Sequence, residues 1–146
     1  MTGRPAVAII GAAMELILAL TCEDASARPD GRLDIVGVFD ELSAPGFPAA
    51  QDRMTVVFVM EWPRGQEGRQ AFRADLVADD GTRVLAIEGH TDVADPDGAR
   101  RPRTQLIMPL ERVIFPHEGP YRFELTAAGE TVSALSLLVS EAPAGG

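Results

Sequence analysis

A chain of 146 residues has the usual size of one domain, and its 46% of hydrophobic residues is enough to fill a single core. Its 22 acidic side chains outnumber the 13 basic ones, which gives a formal net charge of −9. This charge repels nucleic-acid phosphates and anionic lipids, so we predict neither a nucleic-acid partner nor a membrane partner.

The cellular compartment is indicated by the single cysteine and by an apolar run near the N-terminus. Cys22 cannot form an internal disulfide, which fits a reducing cytoplasm. Residues 6–22 follow Arg4 and are largely apolar, a loose likeness to a signal peptide. Glu15 interrupts this run, which is also too short to span a bilayer. We therefore predict a cytoplasmic protein and keep export as the alternative.

Short runs rich in Val, Ile, Leu and Phe alternate with clusters of Gly, Pro and Asp, a pattern typical of antiparallel β proteins. The first strand is predicted over Met14–Thr21, with Leu16, Leu18 and Leu20 on one face. A Pro-Asp-Gly turn then leads into a second strand over Leu33–Asp40. These two strands are expected to form a hairpin or to cross between two sheets.

More strands follow along the chain. The run Met54–Trp62 is apolar on both faces, as expected of a central strand. An Asp-Asp-Gly turn joins Phe72–Ala78 to Arg83–Glu88 as a hairpin. Beyond a polar loop over residues 92–103, the remaining predicted strands are Gln105–Met108, an edge strand over Leu110–Phe115, a strand that begins near Tyr121, and Thr131–Val139.

The segment that precedes the only tyrosine has the pattern of a tyrosine corner. In residues 118–121 an acid, a glycine and one further residue precede Tyr121 at the start of a strand. In immunoglobulin-like sandwiches such a tyrosine hydrogen-bonds back to the preceding loop. We predict this structural role for Tyr121.

Together these patterns predict an all-β fold, an antiparallel two-sheet sandwich of the immunoglobulin-like kind with about seven to nine strands. The sandwich is expected over residues 14–140. Residues 1–13 are predicted to be an N-terminal extension, and residues 141–146 a disordered tail.

Two segments carry a resemblance to a known family. Residues 33–49 contain Leu-x-Ile-x-Gly-x-Phe-Asp followed by Ala-Pro-x-Phe-Pro-Ala, and residues 113–125 contain the tyrosine segment. Over about Met14 to Val139 the chain resembles an uncharacterised family of short bacterial β-sandwich proteins. The resemblance implies the sandwich fold, a bacterial source and a usual start near Met14, and it implies no activity.

Candidate metal-binding and catalytic groups are few. Asp79-Asp80 and Asp95-Pro96-Asp97 are acidic turns that could offer oxygen ligands to calcium, but they lack the ligand spacing of a helix-loop-helix site. The nitrogen and sulfur ligands His90, His117 and Cys22 are too far apart in sequence for a typical zinc site. No nucleophile elbow or phosphate-binding glycine loop is present. We therefore predict no metal, no cofactor and no enzymatic activity.

One loop is a candidate interaction site. Phe47 lies between Gly46 and Pro48, and Pro45 precedes it by two residues. The two prolines stiffen the loop that carries the aromatic ring. Rigid aromatic side chains on loops are effective binding anchors. The alternative interpretation, which we favour, is that Phe47 closes one end of the sandwich. Pro45, Phe47 and Pro48 are the candidate interaction residues.

The function predicted from these observations is that of a non-catalytic binding or assembly module. A protein partner or self-association is expected, because apolar side chains such as Val57 and Val59 fall on the face of a strand that two packed sheets leave uncovered. The alternative is an accessory domain that binds a small molecule or a carbohydrate, and a weaker one is an enzyme that uses loop carboxylates.

Overall fold

The computed structural model describes residues 14–94 and 101–143, and it contains nine strands in this part of the chain. The described residues include no helix that is long and apolar enough to cross a membrane. The strands are β1 (Glu15–Ala27), β2 (Leu33–Phe39), β3 (Glu41–Ala44), β4 (Ala49–Glu61), β5 (Gly68–Ala78), β6 (Arg83–Val93), β7 (Arg103–Phe115), β8 (Gly119–Ala127) and β9 (Glu130–Glu141).

The strands form two sheets that face each other. Sheet 1 has the order β2-β1-β4-β7, and sheet 2 has the order β3-β9-β8-β5-β6. Neighbouring strands are antiparallel except for β3, which runs parallel to β9. The chain leaves sheet 1 after β2 and enters sheet 2 at β3, with Asp40 between them. This is an immunoglobulin-like sandwich, which confirms the fold class predicted from the sequence.

The core lies between the two sheets and is built from alternate residues of each strand. In β4, Met54, Phe58 and Met60 point into the core and are almost completely buried. The ring of Phe58 packs edge-on against the ring of Phe123 on β8, with 6.4 Å between their centroids. Contacts of this kind join sheet 1 to sheet 2 and add to the free energy gained by apolar burial.

The side chains of β1 are distributed over the two faces of sheet 1 differently from the prediction. A bulge lies between Leu16 and Leu18, because β1 has one residue more than β4 at this point, Ile17. A one-residue insertion transfers the following side chains to the other face of the sheet. Leu16 therefore packs against the core, whereas Leu18 and Leu20 lie on the outer face of sheet 1. The expectation that all three share one face is wrong.

The segment around Pro109 is one strand and not two. β7 runs without interruption from Arg103 to Phe115, and Pro109 lies opposite Thr55 of β4. β7 is the edge of sheet 1, as predicted for its second half. An edge strand tolerates proline because one of its sides forms no ladder hydrogen bonds, so the missing N–H of Pro109 does not end the strand.

The outer face of sheet 1 is covered by its own hairpin. β1 pairs with β4 only as far as Cys22, and the hairpin that it forms with β2 continues beyond the sheet. At the tip of that hairpin the carbonyl of Gly31 accepts a hydrogen bond of 2.8 Å from the side chain of Gln105 on β7. The tip therefore folds back across the outer face. Val57 and Val59, on this face, are only 0% and 7% exposed within the single chain.

The N-terminal extension predicted over residues 1–13 lies outside the described residues. β1 begins at Glu15, and Met14 is buried in the core. We expect deletion of residues 2–13 to leave a soluble, folded protein, because every described strand lies after this segment. Thermal unfolding followed by circular dichroism measures the effect. A fall in Tm of more than about 3 °C would show that the segment contributes to the folded domain.

Candidate functional site: the groove between β2 and β9

A groove of about 540 Å³ opens between the two sheets, at the side where β1 and β2 face β9. Its volume lies in the range of known ligand-binding clefts. We call it the β2–β9 groove. It is lined by Ala19, Leu20, Thr21, Val38, Phe39, Asp40, Ala134, Leu135 and Ser136.

The strand order explains why this side of the sandwich stays open. β1 lies between β2 and β4, so β2 is placed at the edge of sheet 1. On the other side of the groove, β3 pairs with β9 only along Leu138–Glu141. Among the described residues, the two thirds of β9 that precede Leu138 therefore have no strand partner on the side away from β8. Two strand edges that face each other, both partly unpaired, form the groove.

The lining of the groove is mainly apolar. Its polar side chains are Thr21, Asp40 and Ser136. The hydroxyl of Thr21 is already engaged, because it donates a hydrogen bond to the carbonyl of Phe39. Two polar side chains remain to orient a ligand, while alanine, leucine, valine and phenylalanine line the rest. Such a lining suits an apolar side chain better than a sugar.

Three exposed apolar side chains lie on the two strands that border the groove. Val36 and Val38 on β2 are 59% and 62% exposed, and Leu138 on β9 is 43% exposed. Leu138 also borders a smaller depression that it shares with Asp40 and Glu41. Val36 and Val38 thus form one exposed apolar pair on β2, and exposed apolar patches mark interaction surfaces in soluble proteins.

The rim of the groove is acidic. Asp40, between β2 and β3, lines the groove, Glu41 at the start of β3 borders the adjoining depression, and Glu23 and Asp24 lie further along β1; all four are exposed. None of them forms an ion pair with another described residue. The side chain of Glu23 lies across Gly37 of β2. These carboxylates give the groove a negative border.

The predicted interaction loop lies at a different place. Phe47 is partly buried and packs against the hydrophobic core. Pro45 and Pro48 are exposed and line a separate cleft of about 240 Å³, to which Phe47 does not contribute. The structure therefore separates the aromatic ring from the two prolines, and a partner-binding role for this loop stays a prediction.

Tyr121 is fully buried at the start of β8. Its hydroxyl donates a hydrogen bond to the carbonyl of His117 and accepts one of 3.3 Å from the amide of the same residue. Its ring packs edge-on against Phe115, with 5.0 Å between the centroids. Tyr121 thus connects the loop between β7 and β8 to the core.

We expect Tyr121→Phe to lower the free energy of unfolding by about 1 kcal/mol, because the ring stays packed while the hydrogen bond to His117 is lost. Urea unfolding at neutral pH measures this difference. Phe115→Leu, which changes the neighbouring ring and keeps the hydroxyl, serves as the packing control. A Tyr121→Phe protein as stable as the original would contradict the structural role of the hydroxyl.

The residues considered as metal ligands are used in local contacts or are far apart. The carboxylate of Asp80 accepts a hydrogen bond of 2.9 Å from the amide of Thr82 and lies 3.6 Å from His117. Hydrogen bonds from Thr82 hold the pKa of Asp80 below its usual value. Asp95 and Asp97 lie outside the described residues. Among residues 14–94 and 101–143, no three His, Cys, Asp or Glu side chains are grouped so that they could hold a metal.

Cys22 is completely buried on the outer face of sheet 1. Its thiol donates a weak hydrogen bond to the carbonyl of Asp24, with 3.4 Å between the atoms. Burial raises the pKa of the Cys22 thiol, so the thiolate is disfavoured. This cysteine therefore behaves as a small apolar residue.

This chain is distantly similar to several solved structures. The C-terminal domain of Wzt is 10% identical with a TM-score of 0.49, and the match covers 89% of this chain and 75% of that one. The alkylpurine DNA glycosylase AlkC of Pseudomonas fluorescens is 9% identical with a TM-score of 0.45, and the match covers 92% of this chain and 32% of that one. The immunoglobulin-like protein PA1606 of Pseudomonas aeruginosa is 12% identical with a TM-score of 0.40, and the match covers 88% of this chain and 98% of that one. No match was found among curated proteins.

The family relationship rests on the sequence. The model of a family of unknown function, DUF6941, matches residues 17–140, which extend from Ile17 near the start of β1 to Ser140, one residue before the end of β9. This confirms the resemblance to an uncharacterised family, although the signature over residues 33–49 is not itself tested by the match. The chain belongs to the DUF6941 family.

Proposed function

We propose that this protein is a non-catalytic binding or assembly module that holds a protein partner in the β2–β9 groove. The observation that carries the proposal is an open groove in which six of the nine lining residues are apolar, with the exposed side chain of Val38 at its edge. Apolar clefts with few polar groups favour peptide side chains, whereas carbohydrate sites need several convergent hydrogen-bonding groups. The lining therefore supports a protein partner over a sugar.

The proposal includes no chemical step. Asp40 is the only titratable residue that lines the groove among those that the structure describes. General acid–base and nucleophilic catalysis require a second positioned group within hydrogen-bonding reach. Binding through the groove needs only its shape, its apolar lining and its position on a rigid sandwich.

The test is site-specific photocrosslinking in the native cell, with the photoreactive amino acid p-benzoylphenylalanine in place of Val38. A matched control carries the same amino acid in place of Asp92, an exposed residue on β6 at the far edge of sheet 2. We expect one or a few defined adducts from position 38 and none of them from position 92. An adduct with a second copy of the chain would support the assembly form of the proposal.

A second variant separates specific capture from random collision. Val36→Asp in the position-38 protein places a charge beside the groove on an exposed side chain, so it leaves the fold intact. We expect it to reduce the adducts severalfold. The absence of adducts at position 38, or the same adducts at both positions, would contradict the proposed function.

A further inference from the structure

We propose that the groove binds an extended peptide segment of a partner protein, with an apolar side chain flanked by lysine or arginine. The inference rests on the proposed function and names the chemistry of its partner. It follows from three features of the described part of the chain: a stretch of β9 that no described strand pairs with on one side, a groove with a largely apolar lining, and carboxylates at its rim that form no ion pair with a described residue.

The unpaired stretch of β9 supplies the backbone groups. At the C-terminal end of this stretch, β3 already pairs with β9, and the amide of Leu138 donates a hydrogen bond of 2.9 Å to the carbonyl of Asp40. At the N-terminal end of this stretch the pairing with β8 is irregular, because Ala134 is an extra residue of β9 with no counterpart between Phe123 and Glu124 of β8. The regular open edge is therefore Leu135–Leu137. An extended segment in line with β3 can form ladder hydrogen bonds with this edge.

The cavity selects the side chains of the segment. In an extended strand, successive side chains point to opposite faces, so every second one enters the groove. The groove presents Phe39, Leu135 and the short side chains of Ala19 and Ala134, which leave room between the sheets. A β-branched or aromatic side chain fits this space and gains free energy from burial of apolar surface. Its neighbours in the segment remain in solvent beside the rim.

The rim selects basic neighbours. Elsewhere on sheet 2, carboxylates are neutralised within the chain: Asp75 is bound by Arg73 at 3.0 Å and by Arg83 at 3.1 Å. The rim carboxylates have no such partners among the described residues, and the whole chain carries a net charge of −9. Charge complementarity therefore favours a cationic segment and increases its rate of association.

The same rim argues against a second copy of this chain as the occupant. A two-fold interface is built from the same surface of both copies, so it would bring the carboxylates of two acidic rims, Asp40 and Glu41 among them, into one interface. Like charges that face each other across an interface reduce affinity and act against the wrong partner. A basic segment from another protein meets no such repulsion.

The experiment is a selection with the full chain as bait and a displayed library of random twelve-residue peptides as the probe. We expect enriched peptides to share a β-branched or aromatic residue with Lys or Arg directly next to it on at least one side. A synthetic copy of the enriched peptide should shift the amide NMR signals of Leu135–Leu137 and Val38. Its binding should weaken as salt is added, because surface charges are screened.

A charge variant tests the role of the rim. In Asp40→Asn/Glu41→Gln we expect the dissociation constant of the synthetic peptide to rise about fivefold, the combined effect of two exposed ion pairs. Asp92→Asn removes one negative charge at the far edge of sheet 2 and should change the dissociation constant by less than about twofold. Both variants alter only exposed side chains, so neither is expected to unfold the domain.

Four outcomes would overturn the inference: no enriched peptide, an enriched peptide rich in acidic residues, NMR shifts away from the groove, or a stable dimer in sedimentation that blocks selection. Enrichment only with a chain that lacks residues 2–13 would also overturn it, because the native occupant would then be that segment. If crosslinking at position 38 succeeds while the selection fails, the proposed function stands and only the chemistry of its partner is wrong.

Discussion

Replacement of Trp62 by alanine is expected to lower the free energy of unfolding by about 3–5 kcal/mol. Trp62 lies directly after β4 and is 0% exposed. Its indole N–H donates a hydrogen bond of 2.7 Å to the hydroxyl of Thr104 on β7, and its backbone N–H donates one of 2.8 Å to the carbonyl of Pro102. The substitution leaves a large cavity and removes the partner of a buried hydroxyl, and both effects destabilise the folded state.

Urea unfolding followed by far-ultraviolet circular dichroism measures this loss, because Trp62 is the only tryptophan and fluorescence would report on different chromophores in the two proteins. Trp62→Phe keeps most of the apolar volume and is expected to lose about 1–2 kcal/mol. Ile114→Ala, on an exposed side chain of β7, is the matched control, with an expected change within about 0.5 kcal/mol. If Trp62→Ala cost no more than that control, the packing described for this end of the core would be wrong.

The second large effect is expected for Gly37→Ala in β2, which should destabilise the protein by about 2 kcal/mol. Gly37 has a φ of 69°, and a Cβ atom added there would lie 2.5 Å from the carboxyl carbon of Glu23. The left-handed backbone conformation costs a non-glycine residue about 1–2 kcal/mol. Displacement of the Glu23 side chain from its position across β2 adds to this cost.

A double-mutant cycle separates the two contributions. Glu23→Ala alone removes an exposed side chain without an ion pair, so we expect a change within about 0.5 kcal/mol. In that background Gly37→Ala should cost less than in the original protein, because only the backbone term remains. Gly46→Ala is the control, since its φ is not positive and its added Cβ would meet no atom within 4 Å. Equal costs for Gly37→Ala in both backgrounds would show that Glu23 is not in contact with Gly37.

The strands could be predicted from sequence because their side-chain alternation and their turns are local signals. The run Met54–Trp62 is apolar on both faces and became the central strand β4, and the tyrosine segment was assigned to the start of β8. The facing of β1 could not be predicted, because Leu16, Ile17 and Leu18 are all aliphatic. When every residue near a bulge is apolar, the pattern does not indicate which one is the extra residue.

The groove could not be found from sequence, because its walls come from strands that are far apart along the chain. No local pattern indicates that β3 pairs with only the last third of β9, and this partial pairing is what leaves Leu135–Leu137 open. One signal was available: Val36 and Val38 are apolar at positions that alternate with the inward residues Ile35 and Phe39. An apolar residue on the outward side of an edge strand is a reason to examine that edge as a binding surface.

The parallel pairing of β3 with β9 has a consequence for biosynthesis. β3 ends at Ala44, whereas its partner strand is the last one of the domain, so the two meet only when nearly the whole domain has left the ribosome. Closing such a long loop costs chain entropy before any contact compensates for it, and folding dominated by distant pairings is slow. A nascent chain that lacks β9 therefore exposes apolar residues that the complete domain buries, and such transient exposure favours aggregation during synthesis.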